Sequence, residues 1–305
     1  MSRIHEALKK AEQERAASQA SLPTSTPPPI AEKQDSPASV VRESVNPEAL
    51  PSDTQRFAGP MDMDSPLSRC AQTQWKPEEK TMLFFNGNDT ARGSEEFRTL
   101  RSRLYHAREK MALKKVLITS ALPREGKSFT AANLAQVMAR QHGRRVLLID
   151  ADLRSPRLHS MLGTLASPGL SEFLNGRIDE FSIMQRGPME NLFFVPAGGD
   201  ISNPAELVAS ERLRLFMQRV ENFFDWIIVD SPPAVPVSDA SVLAKACEGV
   251  LIVVRSSATP LEVARRARDE FAEQMLVGVV LNGMDRQSDG YMQYYDAYTQ
   301  QTTES

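Results

Sequence analysis

Apolar residues in the second part of the chain fall into six short runs, at 116–119, 146–149, 192–195, 226–229, 250–254 and 277–281. Each is rich in Val, Ile, Leu or Phe and lacks polar alternation, which is the pattern of a strand buried on both faces. Between them the apolar spacing changes to helical periods, at 128–140, 205–222, 239–246 and 261–274. Apolar strands joined by helical crossovers predict an α/β fold, a mostly parallel sheet with helices on both faces. Its ligands are expected at the carboxyl ends of the strands. A further helix is expected to start at Gly93-Ser94, with Glu95 and Glu96 in its first turn, where they suit the helix dipole. Phe97, Leu100 and Leu104 form its core-facing stripe, and Glu95, Arg98 and Arg101 fan across an adjoining face.

The two ends of the chain read differently. Ser2 can cap a helix over 1–17, with Ile4, Ala7, Leu8 and Ala11 as a narrow apolar stripe among charges. Such a short helix is marginal alone, so it either docks onto something or frays in solvent. Residues 18–80 hold half of the 20 prolines, with much Ser, Thr, Asp and Glu and little periodicity. That composition predicts a disordered tether. Order is expected to resume near Met82, giving a folded domain over 81–284 and a polar tail over 285–305. The tail carries Tyr291, Tyr294, Tyr295 and Tyr298, four of the five tyrosines, a clustering that core packing does not explain.

Composition narrows the setting. A net charge of −3 gives no case for nucleic acid as a partner. Cys70 and Cys247 form no disulfide or metal framework, in keeping with a reducing cytoplasm. No apolar run approaches the roughly 18 residues of a membrane helix, and the N-terminus has no hydrophobic leader pattern. The expectation is a soluble protein whose link to a membrane, if it has one, passes through a partner.

The chemistry is concentrated after three of the strands. Following the run at 116–119, a loop leads through Gly126-Lys127-Ser128 into an alanine-rich helical pattern. Strand, loop and helix in that order make a phosphate cradle. Loop amides and the positive helix end face the anion, Lys127 reaches the outer phosphates, and Ser128 offers a hydroxyl to Mg²⁺. The P-loop pattern asks for glycine five residues before Gly126, and Ala121 stands there. Asp150 and Asp152 follow the second run, and Asp230 follows the fourth. Ser128 with Asp150 and Asp230 is a set suited to Mg²⁺, while Asp152 can bind metal or orient an acceptor. Lys127, Asp150 and Asp152 are the catalytic candidates.

From about Ser94 to Tyr298 the chain resembles the bacterial tyrosine kinases of capsule and exopolysaccharide synthesis, a branch of the MinD/ParA-like P-loop ATPases. The resemblance rests on Pro123-Arg-Glu-Gly-Lys-Ser128, Asp150-Ala-Asp-Leu-Arg-Ser-Pro156, Ile228-Val-Asp-Ser-Pro-Pro233, Val195-Pro-Ala-Gly-Gly-Asp200, Asn203-Pro-Ala-Glu-Leu207 and Val279-Val-Leu-Asn282. It implies an ATP- and Mg²⁺-dependent tyrosine autokinase, with nucleotide contacts at Pro123, Arg124, Glu125, Gly126, Lys127, Ser128 and Phe129. Asn282 is implied as an adenine contact, and the four tail tyrosines as autophosphorylation sites. Arg124 replaces a glycine of the family pattern. Glu95-x-x-Arg98-x-x-Arg101 matches the motif that joins family members into rings. The resemblance also implies a membrane-embedded co-polymerase as activator, placing the protein at the inner face of the plasma membrane. The alternatives are a MinD/ParA-like switch ATPase and a nucleotide-binding scaffold with a degenerate site. Leu122 stands where the switch ATPases carry an extra lysine, which argues against the first; Ala121 and Arg124 keep the second open.

Overall fold

The computed structural model describes residues 66–85, 93–272 and 274–284. In chain order its elements are β1 (Ala71–Gln72), α1 (Ser94–Lys110), β2 (Lys115–Ser120), α2 (Lys127–Ala139), β3 (Val146–Asp150), α3 (Leu158–Leu162), α4 (Leu170–Leu174), β4 (Gln185–Arg186), β5 (Leu192–Val195), α5 (Pro204–Val208), α6 (Glu211–Val220), β6 (Trp226–Asp230), α7 (Asp239–Ala244), β7 (Gly249–Arg255), α8 (Leu261–Asp269) and β8 (Leu276–Asn282). The strands form one sheet in the order β1-β4-β5-β3-β6-β2-β7-β8. Every pairing is parallel except that of β4 with β5.

All six apolar runs are strands. Successive side chains of a strand point to opposite faces, so the five inner runs feed two cores, whereas in the edge strand β8 Val279 and Leu281 are 59% and 51% exposed and the expected burial on both faces is not met. Leu117, Leu147, Ile149, Ile227 and Val229 lie in the core under α4 to α8. Val116, Ile118, Val146, Leu148 and Ile228 lie in the core under α1, α2 and α3. Helices therefore cover both faces of these five strands, which is why they carry no polar alternation. The helical stretch expected over 205–222 is broken at Ser210, whose extended backbone ends α5 and starts α6. Sequence periodicity missed β1, β4, α3 and α4, because two to five residues do not complete a repeat.

The tether expected over 18–80 does not extend across 66–80. Leu67 and Trp75 are buried, as are Met82 and Phe84 just beyond. Trp75 packs edge-on against Phe194 of β5, and β1 adds to the sheet beside β4. These side chains fill separate gaps rather than one face, so they leave no period to read. The helix at 1–17 and the rest of the tether lie outside the described residues.

Polar residues of α2 hold this segment in place. Almost all of α2 is buried, and Asn133 and Gln136 are fully so. The Asn133 amide donates to the carbonyls of Thr81 and Phe129, at 2.7 and 3.0 Å, and accepts the Leu83 N–H at 2.8 Å. Gln136 accepts the Phe84 N–H at 3.3 Å. Asn133→Ala leaves the Thr81 carbonyl and the Leu83 amide unpaired, each costing about 1–3 kcal/mol. The variant is expected to lose on the order of 3 kcal/mol in urea unfolding, and a loss under about 1 kcal/mol would show that these bonds do not anchor 81–85.

Candidate active site

Strand order brings the motifs together. β3, β6 and β2 are neighbours, so their carboxyl ends share one edge of the sheet. Asp150 lies directly opposite Asp230, and Ile118 of β2 lies opposite Asp230 on its other side. β2 then runs into the loop that ends at Gly126, where φ is 99° and α2 begins.

The backbone explains Ala121 and exposes a cost at Arg124. Ala121 is fully buried in the core, and among the described residues the positive-φ residues other than glycine are Arg124 and Ser257. Position 121 thus does not require glycine. Arg124 does adopt the left-handed conformation, with φ of 66°, which costs a non-glycine residue about 1 kcal/mol. The glycine of the family pattern is therefore replaced at a position with a steric reason for it, and the arginine is held there.

Lys127 sits among three buried carboxylates. Its Nζ is 2.6 Å from Asp152 Oδ2 and 4.0 Å from Asp230 Oδ1, and 3.4 Å from the Ser128 hydroxyl. Burial alone would lower the lysine pKa, but the charges of Asp230 and Asp152 outweigh it and the net shift is upward. Burial, followed by the charge of Asp230, holds the Asp150 carboxyl well above the usual range. Asp230 is pushed up to about 6, mainly by burial, with Lys127 and Ser128 pulling it partly back. The influence of Ser128 is one of proximity, since neither Asp230 oxygen makes a hydrogen bond of ordinary geometry.

Those oxygens bear on Mg²⁺. Asp150 Oδ2 accepts the N–H groups of Arg157 and Leu158, at 3.2 and 3.0 Å. Asp150 Oδ1 and both Asp230 oxygens are buried without a hydrogen bond, the Lys127 ammonium standing 4.0 Å from Asp230 Oδ1. Buried carboxylate oxygens left unpaired call for a cation or a donor. Among the described residues no three Asp, Glu, His or Cys groups converge as a complete protein cage. Mg²⁺ takes one or two carboxylates and completes its shell with water and phosphate, so the Asp150 and Asp230 oxygens with the Ser128 hydroxyl are a donor set of the kind it uses.

The other expected site residues divide. The Asn282 amide donates to the Glu125 carbonyl at 2.9 Å, so this residue lies against the loop. The Phe129 ring packs edge-on against Phe97 of α1. Arg154, within the motif that follows β3, makes a two-pronged pair with Asp239, at 2.8 and 2.9 Å. On α1, Arg98 pairs with Glu95, and Arg101 donates to the Val137 carbonyl in the last turn of α2 at 3.0 Å. The four tail tyrosines lie outside the described residues. Motif reading missed Arg255 and Thr259, which also lie against the loop. Arg255 ends β7 and Thr259 lies in the loop after it, so only their position at the carboxyl end of a strand, and nothing in their residue types, points to the site.

Comparison with known proteins adds to this geometry. Residues 124–266 match the family described as AAA domain. The tyrosine-protein kinase YwqD of Bacillus subtilis is 36% identical over 204 residues, covering 66% of this chain and 86% of YwqD. The chain belongs to the bacterial tyrosine-protein kinase family. Another relative of this tyrosine kinase, the tyrosine-protein kinase wzc of Salmonella typhimurium, is 32% identical over 221 residues. That match covers 72% of this chain and 31% of wzc, so the kinase described here spans about a third of that relative. The solved kinase domain of the Escherichia coli tyrosine kinase ETK superposes with a TM-score of 0.61 at 31% identity, covering 64% of this chain and 77% of that one. Among the described residues of the tyrosine kinase, no helix is long and apolar enough to cross a membrane.

Proposed function

We propose that this tyrosine kinase transfers the γ-phosphate of ATP to its own tail tyrosines, Tyr291, Tyr294, Tyr295 and Tyr298, and acts in exopolysaccharide or capsule synthesis. The observation that carries this reading is Lys127 set among Asp150, Asp152 and Asp230 at the ends of adjacent strands. The loop amides from Arg124 to Ser128 and the Lys127 ammonium bind the phosphates. Ser128 and Asp230 would hold Mg²⁺, with Asp150 as a further candidate ligand. The ion would supply charge neutralisation for the phosphates during transfer. Asp150 and Asp152 are the carboxylates placed to orient the incoming tyrosine hydroxyl and take its proton.

The partner in this proposal is a membrane-embedded activator that holds the kinase at the inner face of the plasma membrane. Glu95, Arg98 and Arg101 form part of a self-association surface that closes into a ring. Phosphorylation adds nearly two negative charges per tyrosine, so repulsion within the tail loosens the oligomer. Leu122, packed half-buried against the core, weighs against a MinD/ParA-like switch.

Purified protein incubated with labelled ATP and Mg²⁺ is expected to accumulate phosphotyrosine rather than release free phosphate. Replacing all four tail tyrosines by phenylalanine is expected to remove most of that label and keep the oligomer assembled. Undiminished label and an unchanged response of oligomer size to ATP would eliminate the tail as substrate. Free phosphate without phosphotyrosine would point to a switch ATPase.

A further inference from the structure

We propose that Thr259, Arg255 and Asn282 brace the phosphate loop through Glu125, which makes Thr259 and Arg255 positioning residues for nucleotide binding. The proposal rests on the nucleotide-site reading above and adds to it the device that keeps the empty loop in shape.

Glu125 is the centre of the device, only 3% exposed. Its Oε2 accepts the Leu122 N–H at 2.7 Å, closing the loop on itself. Its Oε1 accepts the Thr259 hydroxyl. The hydroxyl donates, because a carboxylate can only accept, and Thr259 Oγ1 in turn accepts the Arg255 N–H at 3.3 Å. Two carbonyls of the loop are held as well. Glu125 O accepts the Asn282 amide at 2.9 Å, and Arg124 O accepts Arg255 Nη1 at 3.4 Å. The brace is itself tied together, since Ser256 donates to the Asn282 carbonyl at 2.8 Å and Thr259 N–H to the Arg255 carbonyl at 3.1 Å.

Two features of the loop need such support. Arg124 and Gly126 both have positive φ, 66° and 99°, on either side of Glu125. A non-glycine residue stays in that region only where its surroundings fix it. Glu125 also places a carboxylate inside a loop whose task is to receive anions. Its negative charge is compatible with that task only while it is spent on the Leu122 amide and the Thr259 hydroxyl. Without the hydroxyl, the carboxylate is free to swing towards the phosphates and the loop is free to leave its binding conformation. If only a tenth of molecules then keep the competent loop, apparent affinity falls tenfold.

The test uses the full chain with Thr259→Val, which keeps the shape and removes the hydroxyl, and Thr259→Ser, which keeps the hydroxyl. Mg·ATP affinity is measured at equilibrium, KM and kcat for tyrosine phosphorylation by kinetics, and exchange of the 122–126 amides without nucleotide. Thr259→Val is expected to weaken Mg·ATP binding and raise KM about tenfold with kcat within about threefold, and to speed exchange at Leu122 while α2 stays protected. Thr259→Ser is expected to restore all three. Arg255→Ala, at an exposed side chain, should weaken binding about threefold and decides the matter if Thr259→Val does not fold. Affinity and Leu122 exchange unchanged in the variants, or failure of serine to restore them, overturns the brace. Should the wild-type chain fail to bind Mg·ATP, the nucleotide-site reading falls instead, and the exchange measurement still tests the brace alone.

Discussion

Replacing Lys127 by methionine is expected to lower kcat/KM for tyrosine phosphorylation by at least about 10³-fold, on the order of 4 kcal/mol of transition-state stabilisation. The lysine ammonium touches Asp152 at 2.6 Å and stands 4.0 Å from Asp230, with Asp150 also bearing on its charge. Phosphoryl transfer needs positive charge fixed where the outer phosphate loses its bond, and a thioether supplies none. Methionine matches the length of the stem, so the substitution removes the charge with little change in volume. Part of the effect will appear in the empty protein, because taking one partner from a buried ion pair destabilises by about 3–5 kcal/mol before the carboxyls adjust their protonation. Activity must therefore be compared with the folded fraction from urea unfolding at the assay temperature. ATP-dependent phosphotyrosine within tenfold of wild type in folded Lys127→Met would remove the lysine from the mechanism.

A second large effect is expected from a single methyl group. Gly126→Ala should lower ATP affinity by more than tenfold and stability by about 2–4 kcal/mol. At Gly126 the backbone has φ of 99°, which L side chains rarely adopt. The added Cβ would overlap Asn282 Nδ2 and lie 3.2 Å from Asn282 Cγ. Asn282 can swing away only by giving up its bond to the Glu125 carbonyl. Pairing the change with Asn282→Ala removes the overlap and leaves the dihedral cost, so the double variant should recover only part of the loss. Binding of ATP by Gly126→Ala within twofold of wild type, measured by calorimetry, would show that the loop does not rely on this conformation.

The parts of the fold that could be read from sequence are those whose signal is local. Asp150 and Asp230 each end an unbroken apolar run, so strand, strand end and carboxylate all lie within about five residues. Lys127 and Ser128 follow a strand and open a helix in the same way. What sequence left out depends on partners far along the chain. Trp75 is buried because Phe194 is there, and nothing near Trp75 announces it. Thr259 meets Glu125 across 134 positions, and a lone threonine in a strand-to-helix loop carries no mark of that meeting. Arg124 shows a third case. The missing glycine was visible, but whether the position needs positive φ became clear only from the backbone.

The facing of Asp150 and Asp230 across β3 and β6 has a consequence for how this chain can vary. Their spacing is set by the hydrogen-bond ladder that also pairs Val146 with Trp226 and Leu148 with Ile228. One residue inserted within either strand would carry an aspartate past its counterpart and turn the buried side chains beyond the insertion to the opposite face. The same insertion in a connecting loop would move neither. Length changes among natural or engineered descendants should therefore collect between the strands, while the interval from the first core residue of β3 or β6 to its aspartate stays constant even where the residues in it are exchanged.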